Sequence, residues 1–242
     1  MEKCLLATVI VILILNISIT QSVKGETFYI LIAPDHPCPV PENNESQSAH
    51  DAMNRPSEKG QQCFSLQEFV TNLDNFSDID NFSLELEPGE HCLDSLLSVH
   101  TTSSFAMISE AATINCTSLH AGFELSSLEK VAINGISFMG CRDIEMFYIS
   151  QLRFENSSLL IPDQGSLVLN SVHNVTIIGI SFLGNGNEKA ALHITNGSFV
   201  YVQFCTFSQL TTRAIYNANS SITIDIVVRL RITLLFIGGM EH

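Results

Sequence analysis

The sequence predicts an all-β fold: a right-handed, single-stranded parallel β-helix with an N-terminal strand–helix–strand cap. Three observations predict it. Short segments with apolar residues at alternate positions recur through the second half of the chain. Matched octamers return at a mean spacing close to 23 residues. Turn-forming Gly and Asn punctuate them. A copy of that length carries two or three strands too short to bury a face alone. Stacked copies bury a continuous apolar column instead, which is a solenoid. Helical repeats are excluded, because the period is two and β-branched residues dominate. A β-sandwich is the competing arrangement, but hairpin strands would not return the same octamer 44 residues apart.

The elements follow in chain order. Residues 1–22 read as a signal peptide: Lys3, an apolar run from Leu5 to Leu15 broken only by Thr8, then small or polar residues to Ser22. The run is shorter than the roughly 20 residues that span a bilayer. An uncleaved signal anchor is the alternative. Residues 26–112 form the cap segment. Phe28–Ile32 is an apolar strand stopped by Pro34, and a polar loop covers residues 35–62. Ser65 with Glu68 three positions on makes a capping box, and Leu66, Phe69, Val70 and Leu73 fall at helical spacing. Phe82, Leu84 and Leu86 alternate with polar residues as a half-buried strand, and Pro88-Gly89 turns it.

Residues 113–226 are the coils. Segments Gly122–Phe138, Gly165–Phe182, Ala191–Phe207 and Ala214–Ile224 align on one pattern, with a weaker copy at Phe147–Phe154. The matched positions are Ile133, Ile149, Ile177, Val202 and Ile224. Inward side chains include Ile133, Ile136 and Phe138 in one coil, and Ile177, Ile180 and Phe182 in another. Residues 227–242 leave the repeat, and read as a last strand, a cap, or the end of a truncated product.

Composition bounds the function. Lys+Arg number 11 against 25 Asp+Glu, for a net charge of −14, so the basic footprint of a nucleic-acid binder is absent. With 45% hydrophobic and 15% charged residues the chain can build a core. The acidity is local. Residues 24–112 hold 15 acidic and three basic residues, whereas residues 113–242 hold nine and seven. The coils are therefore nearly neutral.

Two features agree with an oxidising, extracellular address. Cys4 lies in the leader, and six cysteines remain: Cys38, Cys63, Cys92, Cys116, Cys141 and Cys205. Their long spacings contain no CxxC, which argues against zinc, and sequence alone does not choose among the pairings. Chance predicts about three N-x-[S/T] sequons from this composition, but the mature region holds eight: Asn44, Asn75, Asn81, Asn115, Asn156, Asn174, Asn196 and Asn219.

No catalytic constellation stands out. A glycosidase needs two carboxylates at a set separation. The acidic residues of the coils form no Asn-x-Asp or Asp-Asp pair at the coil period. Arg142-Asp143 with Arg153 reads as a solvated turn. His173 and His193 occupy different places in the repeat, so a shared metal site is not expected. No cofactor is implied, and the catalytic, cofactor and metal sets are empty. The function expected is that of an extracellular glycoprotein for surface recognition or adhesion, without enzymatic activity. Its partners would be extracellular glycans or surface proteins, not nucleic acid, with no transmembrane span in the chain. A carbohydrate-active or carbohydrate-binding protein on the same scaffold is the alternative, and a non-functional fragment is a third.

The octamer Val175-Thr-Ile-Ile-Gly-Ile-Ser-Phe182 with its Asn-rich turns resembles the parallel β-helix repeat (PbH1) of the pectate-lyase-like superfamily. The lead segment resembles the cap of secreted, sponge-type invertebrate β-helix repeat proteins. The resemblance rests on the order of Phe28–Ile32, Pro37-Cys38-Pro39, Cys63-Phe-Ser-Leu-Gln-Glu-Phe69, Pro88 to His91, and Ile114-Asn-Cys116 to Cys141. It covers roughly residues 26 to 225. It implies disulfides between Cys38 and Cys63 and between Cys116 and Cys141. Cys92 and Cys205 are left either free and buried or joined in a third bridge.

Overall fold

The computed structural model describes residues 27–34, 65–73, 79–100, 103–162, 165–184, 189–197, 199–210, 213–225 and 228–230. The leader, the loop over 35–64 and the tail after 230 lie outside them.

The described chain is a parallel β-helix of about six turns. β1 (Phe28–Ile32) pairs in parallel with β2 (Asn81–Leu86), Ile30 opposite Leu84 and Ile32 opposite Leu86. Between them lies the single described helix, α1 (Leu66–Thr71). Its capping box is present: the Glu68 amide donates to Ser65 Oγ at 3.2 Å, and the Ser65 amide donates to Glu68 Oε2 at 2.9 Å. Leu66 and Phe69 are fully buried, with Phe69 edge-on to Phe82 at 6.3 Å. The helix is tied to the corner after β3 (Gly89–Leu93) by Gln67, which donates to Ser95 Oγ and accepts from the Asp94 amide.

From β4 (Leu96–His100) onward each coil visits three faces in the same order. β4, β6 (Gly122–Ser126), β8 (Asp143–Phe147), β11 (Ser166–Asn170), β14 (Leu192–Thr195) and β17 (Ile215–Ala218) stack into face I. β5 (Ser104–Cys116) and β7 (Lys130–Met139) each run across two faces without a break. In later coils that long strand is split. β9 (Gln151–Glu155), β12 (Val175–Ile178), β15 (Phe199–Gln203) and β18 (Ser221–Asp225) extend face II. β10 (Ser158–Ile161), β13 (Ser181–Gly184), β16 (Thr206–Ser208) and β19 (Val228–Leu230) extend face III. β1 and β2 lie on face II and β3 on face III, so residues 81–112 continue the same stack.

Strands buried on one face alternate, and through the central coils, as in β8, β10 and β12, alternation sorts inward from outward side chains. The inward residues Ile133, Ile136, Phe138, Ile177, Ile180 and Phe182 are all at most 2% exposed. Aromatic rings meet inside the column, edge-on between faces for Phe123, Phe138 and Phe154 and stacked along the axis for Phe182 and Phe207. Phe123 meets Phe138 at 5.2 Å, Phe138 meets Phe154 at 6.0 Å, and Phe182 lies flat on Phe207 at 4.6 Å.

One repeat position moves. The residue registered with Ile133 is Phe154, not Ile149, and Phe154 pairs in turn with Ile177. Ile149 is buried at the corner between faces I and II. The coils differ in length because their corners do: Phe105 to Val131 is 26 residues, Val131 to Leu152 is 21, and Leu152 to Val175 is 23. Alignment on a fixed period cannot see this.

The corners have their own rule. Ser127, Tyr148, Ser171, Asn196 and Asn219 follow face I and all have φ between 54° and 59°. Between faces II and III the same left-handed residue is Gly135, Asn156, Gly179 and Phe204. Left-handed backbone costs a residue with a Cβ about 1–2 kcal/mol. Each corner recovers a ladder bond: the amides of Tyr148, Ser171, Asn156 and Gly179 donate to the next coil at 2.9–3.1 Å. Gly135 is the tightest, since a Cβ there would lie 2.0 Å from the Ser109 carbonyl oxygen. In the preceding coil that corner takes a bulge between Ile108 and Ala112, held by Ser109 Oγ donating to the Leu86 carbonyl. Gly135→Ala should therefore cost about 2–5 kcal/mol. At Gly140, where φ is 71° but the nearest atom is 3.1 Å away, the same change should cost only about 1 kcal/mol. Urea midpoints of the two variants test this, and equal midpoints would contradict it.

Candidate functional site

The outer surface of face II carries a trough. Its outward side chains are set by register: Tyr29, Ser83, Ala106, Ala132, Arg153, Thr176 and Tyr201 fall in one line across successive strands. Three consecutive members, Ser83, Ala106 and Ala132, are small. Their neighbours along the strand starts, Ser104, Lys130, Gln151 and Asn174, line the rim of the trough. The result is a shallow cavity of about 490 Å³ running along the helix axis. Tyr29, 70% exposed, stands at one end, and Arg153 and Thr176 form the other.

The electrostatics of the trough run against the rest of the molecule. Its lining holds two cations, Lys130 and Arg153, and no carboxylate. Glu155 accepts from Arg153 Nε at 2.7 Å, which holds the guanidinium over the sheet and pushes its pKa up. Glu129 lies 3.9 Å from Lys130 with both side chains exposed, so that pair contributes little. The arrangement suits an elongated ligand with polar groups and negative charge. It holds no nucleophile–base pair.

Face I carries a second cluster, of a different kind. Glu124 and Glu145 are direct partners on adjacent strands, followed in the same outward line by Val168, His193 and Tyr216. Parallel strands lie about 4.8 Å apart, so the two glutamates are close neighbours. Asp143 sits beside them, 3.4 Å from Lys189 Nζ and 4.0 Å from Arg142 Nε. The Glu145 carboxyl titrates above its ordinary range. Burial is the main cause, followed by the charges of Asp143 and Glu124, with Lys189 opposing. His193 packs edge-on against Tyr216 at 4.6 Å, and Arg213 lies 5.9 Å from the same ring. Burial first, and then Lys189, lowers the His193 pKa. Among the described residues no three His, Cys, Asp or Glu groups could hold a metal ion.

Sequence reasoning missed the glutamate pair. The signal was available as a spacing of 21 residues, but it is readable only once Phe154 rather than Ile149 is matched to Ile133. Arg142 and Arg153 are not one cluster: Arg142 faces Asp143 on face I, and Arg153 lies on face II. His173 is exposed at a corner, away from the face I line that contains His193.

The sequons divide by location. Asn44 and Asn75 lie outside the described residues, as do Cys38 and Cys63 and therefore their pairing. Asn81 opens β2, with its Oδ1 accepting from Ser104 Oγ at 2.7 Å. Asn115 is within β5 and donates to Glu90 Oε1 at 2.9 Å. Asn156, Asn174, Asn196 and Asn219 are all exposed, left-handed corner residues. Three side-chain bonds form an asparagine ladder: Asn156 donates to Asn134 at 3.0 Å, Asn196 to Asn170 at 3.3 Å, and Asn219 to Asn196 at 3.4 Å.

Cys116 and Cys141 are joined in a disulfide across the corner between faces III and I. Cys92 is also disulfide-bonded. Cys205 is a buried free thiol, and burial pushes its pKa up.

No known protein family matches the chain, and no curated protein or solved structure is similar to it.

The crowding of Glu145 has a measurable consequence. A carboxyl whose pKa is raised by folding binds protons more tightly in the folded state. Its favourable contribution is fully present below the ordinary glutamate value of 4.5 and is lost as pH rises through the folded value. Glu145→Gln should therefore be more stable than the wild type at pH 7, and the gap should close as pH falls to about 3. Thermal melts of both proteins across that range test it. A gap that widens on acidification would sink the assignment.

Proposed function

We propose that this chain is a secreted, glycosylated β-helix protein that recognises an extended anionic glycan along the trough of face II, without chemically altering it. The trough carries the reading: a line of small side chains across successive coils, with Lys130 and Arg153 as its only charged groups. A solenoid flank offers such a lane because each coil adds one equivalent position. Tyr29 supplies an exposed ring at one end for stacking against a sugar. The leader, the sequon excess and the disulfide agree with an extracellular setting. The likeness of the octamer to the pectate-lyase-like repeat supports a carbohydrate ligand by analogy only.

A second reading has its own observation. Glu124 and Glu145 form a carboxylate pair on adjacent coils, with Glu145 biased toward its protonated form. That is the arrangement a carbohydrate-active protein would use on face I. It lies on an open sheet surface, whereas the trough forms a shallow cavity of about 490 Å³.

Calorimetric titration with a sulfated octasaccharide and a neutral octasaccharide tests the first reading. Binding should be confined to the sulfated ligand. The double variant Lys130→Ala/Arg153→Ala should weaken it at least tenfold, as expected from loss of charge-assisted bonds worth about 1.5–3 kcal/mol each. Ala132→Phe, which fills the floor without touching the core, should abolish it. Equal affinity for both ligands, or no effect of Ala132→Phe, would rule the trough out. Turnover of either oligosaccharide that disappears in Glu145→Gln would establish the second reading instead.

A further inference from the structure

Asn174 stands at the rim of the trough, and its sequon partner Thr176 is part of the same lining. Asn174 is exposed with φ 47° and immediately precedes β12. Its Nδ2 donates to the Ser150 carbonyl at 3.4 Å, one coil back and next to Gln151 of the lining. The amides of Asn156, Asn196 and Asn219 also reach one coil back, to Asn134, Asn170 and Asn196, but none of these three residues lines the cavity. Among the described sequons, Asn174 alone lines the trough.

We propose that an N-linked glycan on Asn174 lies in the trough and competes there with the external ligand, so that occupancy of this one site sets how open the face is. This rests on the reading of the chain as secreted and of the trough as its binding site. The linkage forms between Nδ2 and the anomeric carbon of the first sugar. The bond from that carbon to the diphosphate of a lipid-linked oligosaccharide donor breaks, its electron pair leaves with the phosphate oxygen, and one amide proton is lost. Nδ2 has two hydrogens, so the other remains to hold the Ser150 carbonyl and keep the first sugar aimed across the coils. Gln151 and Lys130 are the next two rim positions, the second about 10 Å away by strand spacing. The first sugars would therefore pass over Lys130. Their hydroxyls match the polar rim, and their apolar faces match the small floor at Ala106 and Ala132.

The test uses the full chain secreted from eukaryotic cells as wild type, Asn174→Gln and Asn219→Gln. Mass spectrometry should find a glycan on the Asn174 peptide. Acetylation of Lys130 by a small amine-reactive ester should be at least fivefold faster in Asn174→Gln than in wild type. Lys189 on face I should react equally in all three proteins, and Asn219→Gln should behave as wild type. The sulfated octasaccharide should bind at least tenfold more tightly to Asn174→Gln. Should that variant fail to be secreted, wild-type protein trimmed by an endoglycosidase to its first sugar gives the same comparison. A bare Asn174, or equal Lys130 rates with and without the glycan, overturns the inference. Faster Lys130 labelling with no octasaccharide binding in any form upholds the glycan's position and overturns the trough's external ligand instead.

Discussion

Everything in this molecule hangs on the parallel ladder between coils. Each strand contributes one rung, and the next rung is the same face about 4.8 Å further along the axis. A residue that points inward therefore meets the equivalent residue of the coils before and after it. Val131, Leu152, Val175 and Val200 form one such column, and Phe138, Leu159, Phe182 and Phe207 form another. Burying these columns is what makes strands of four or five residues stable, since no coil has a core of its own. The same ladder satisfies the backbone amides and carbonyls, so polar main-chain groups are not left inside.

The ladder also dictates the corners. Between faces II and III the chain turns within two residues, and left-handed backbone does this there and at the first residue after face I. Asn, Ser and Gly supply most of these corners, as their tolerance of positive φ requires. Tyr148 and Phe204 also occupy them, exposed by 66% and 51%, which shows that the ladder bond outweighs the local cost. Corners are thus where the sequence can vary most in length while the columns stay fixed. They are also where four of the sequons lie, since a left-handed Asn at a corner projects into solvent.

The outer faces then differ only by what each coil happens to place on them. On face II three small residues in a row make a depression, and the cations beside it set its charge preference. On face I two glutamates in direct register, with Asp143 beside them, make a strained electrostatic group that Lys189 relieves from two coils away. These two surfaces share a scaffold and no chemistry. Lengthening one corner by a residue would leave both in place, whereas slipping a strand by one residue would destroy the site on its own face, because that strand's outward side chains would turn inward.

The sequence by itself determined the fold class, the inward side chains and the short helix. Alternation with period two and the Ser65–Glu68 capping box are local signals, and local signals survive without knowledge of the partner strand. It also determined the acidic lead segment and the sequons, which are compositional. Only the tertiary structure decided which coil positions meet. Coils of 21, 23 and 26 residues put Ser83, Ala106, Ala132 and Arg153 in one line and Glu124 beside Glu145. A fixed-period alignment replaces Phe154 by Ile149 and loses both sites. The reason is physical: register is chosen by packing and hydrogen bonding between strands far apart in the chain, and corner length, which the local pattern does not constrain, absorbs the difference.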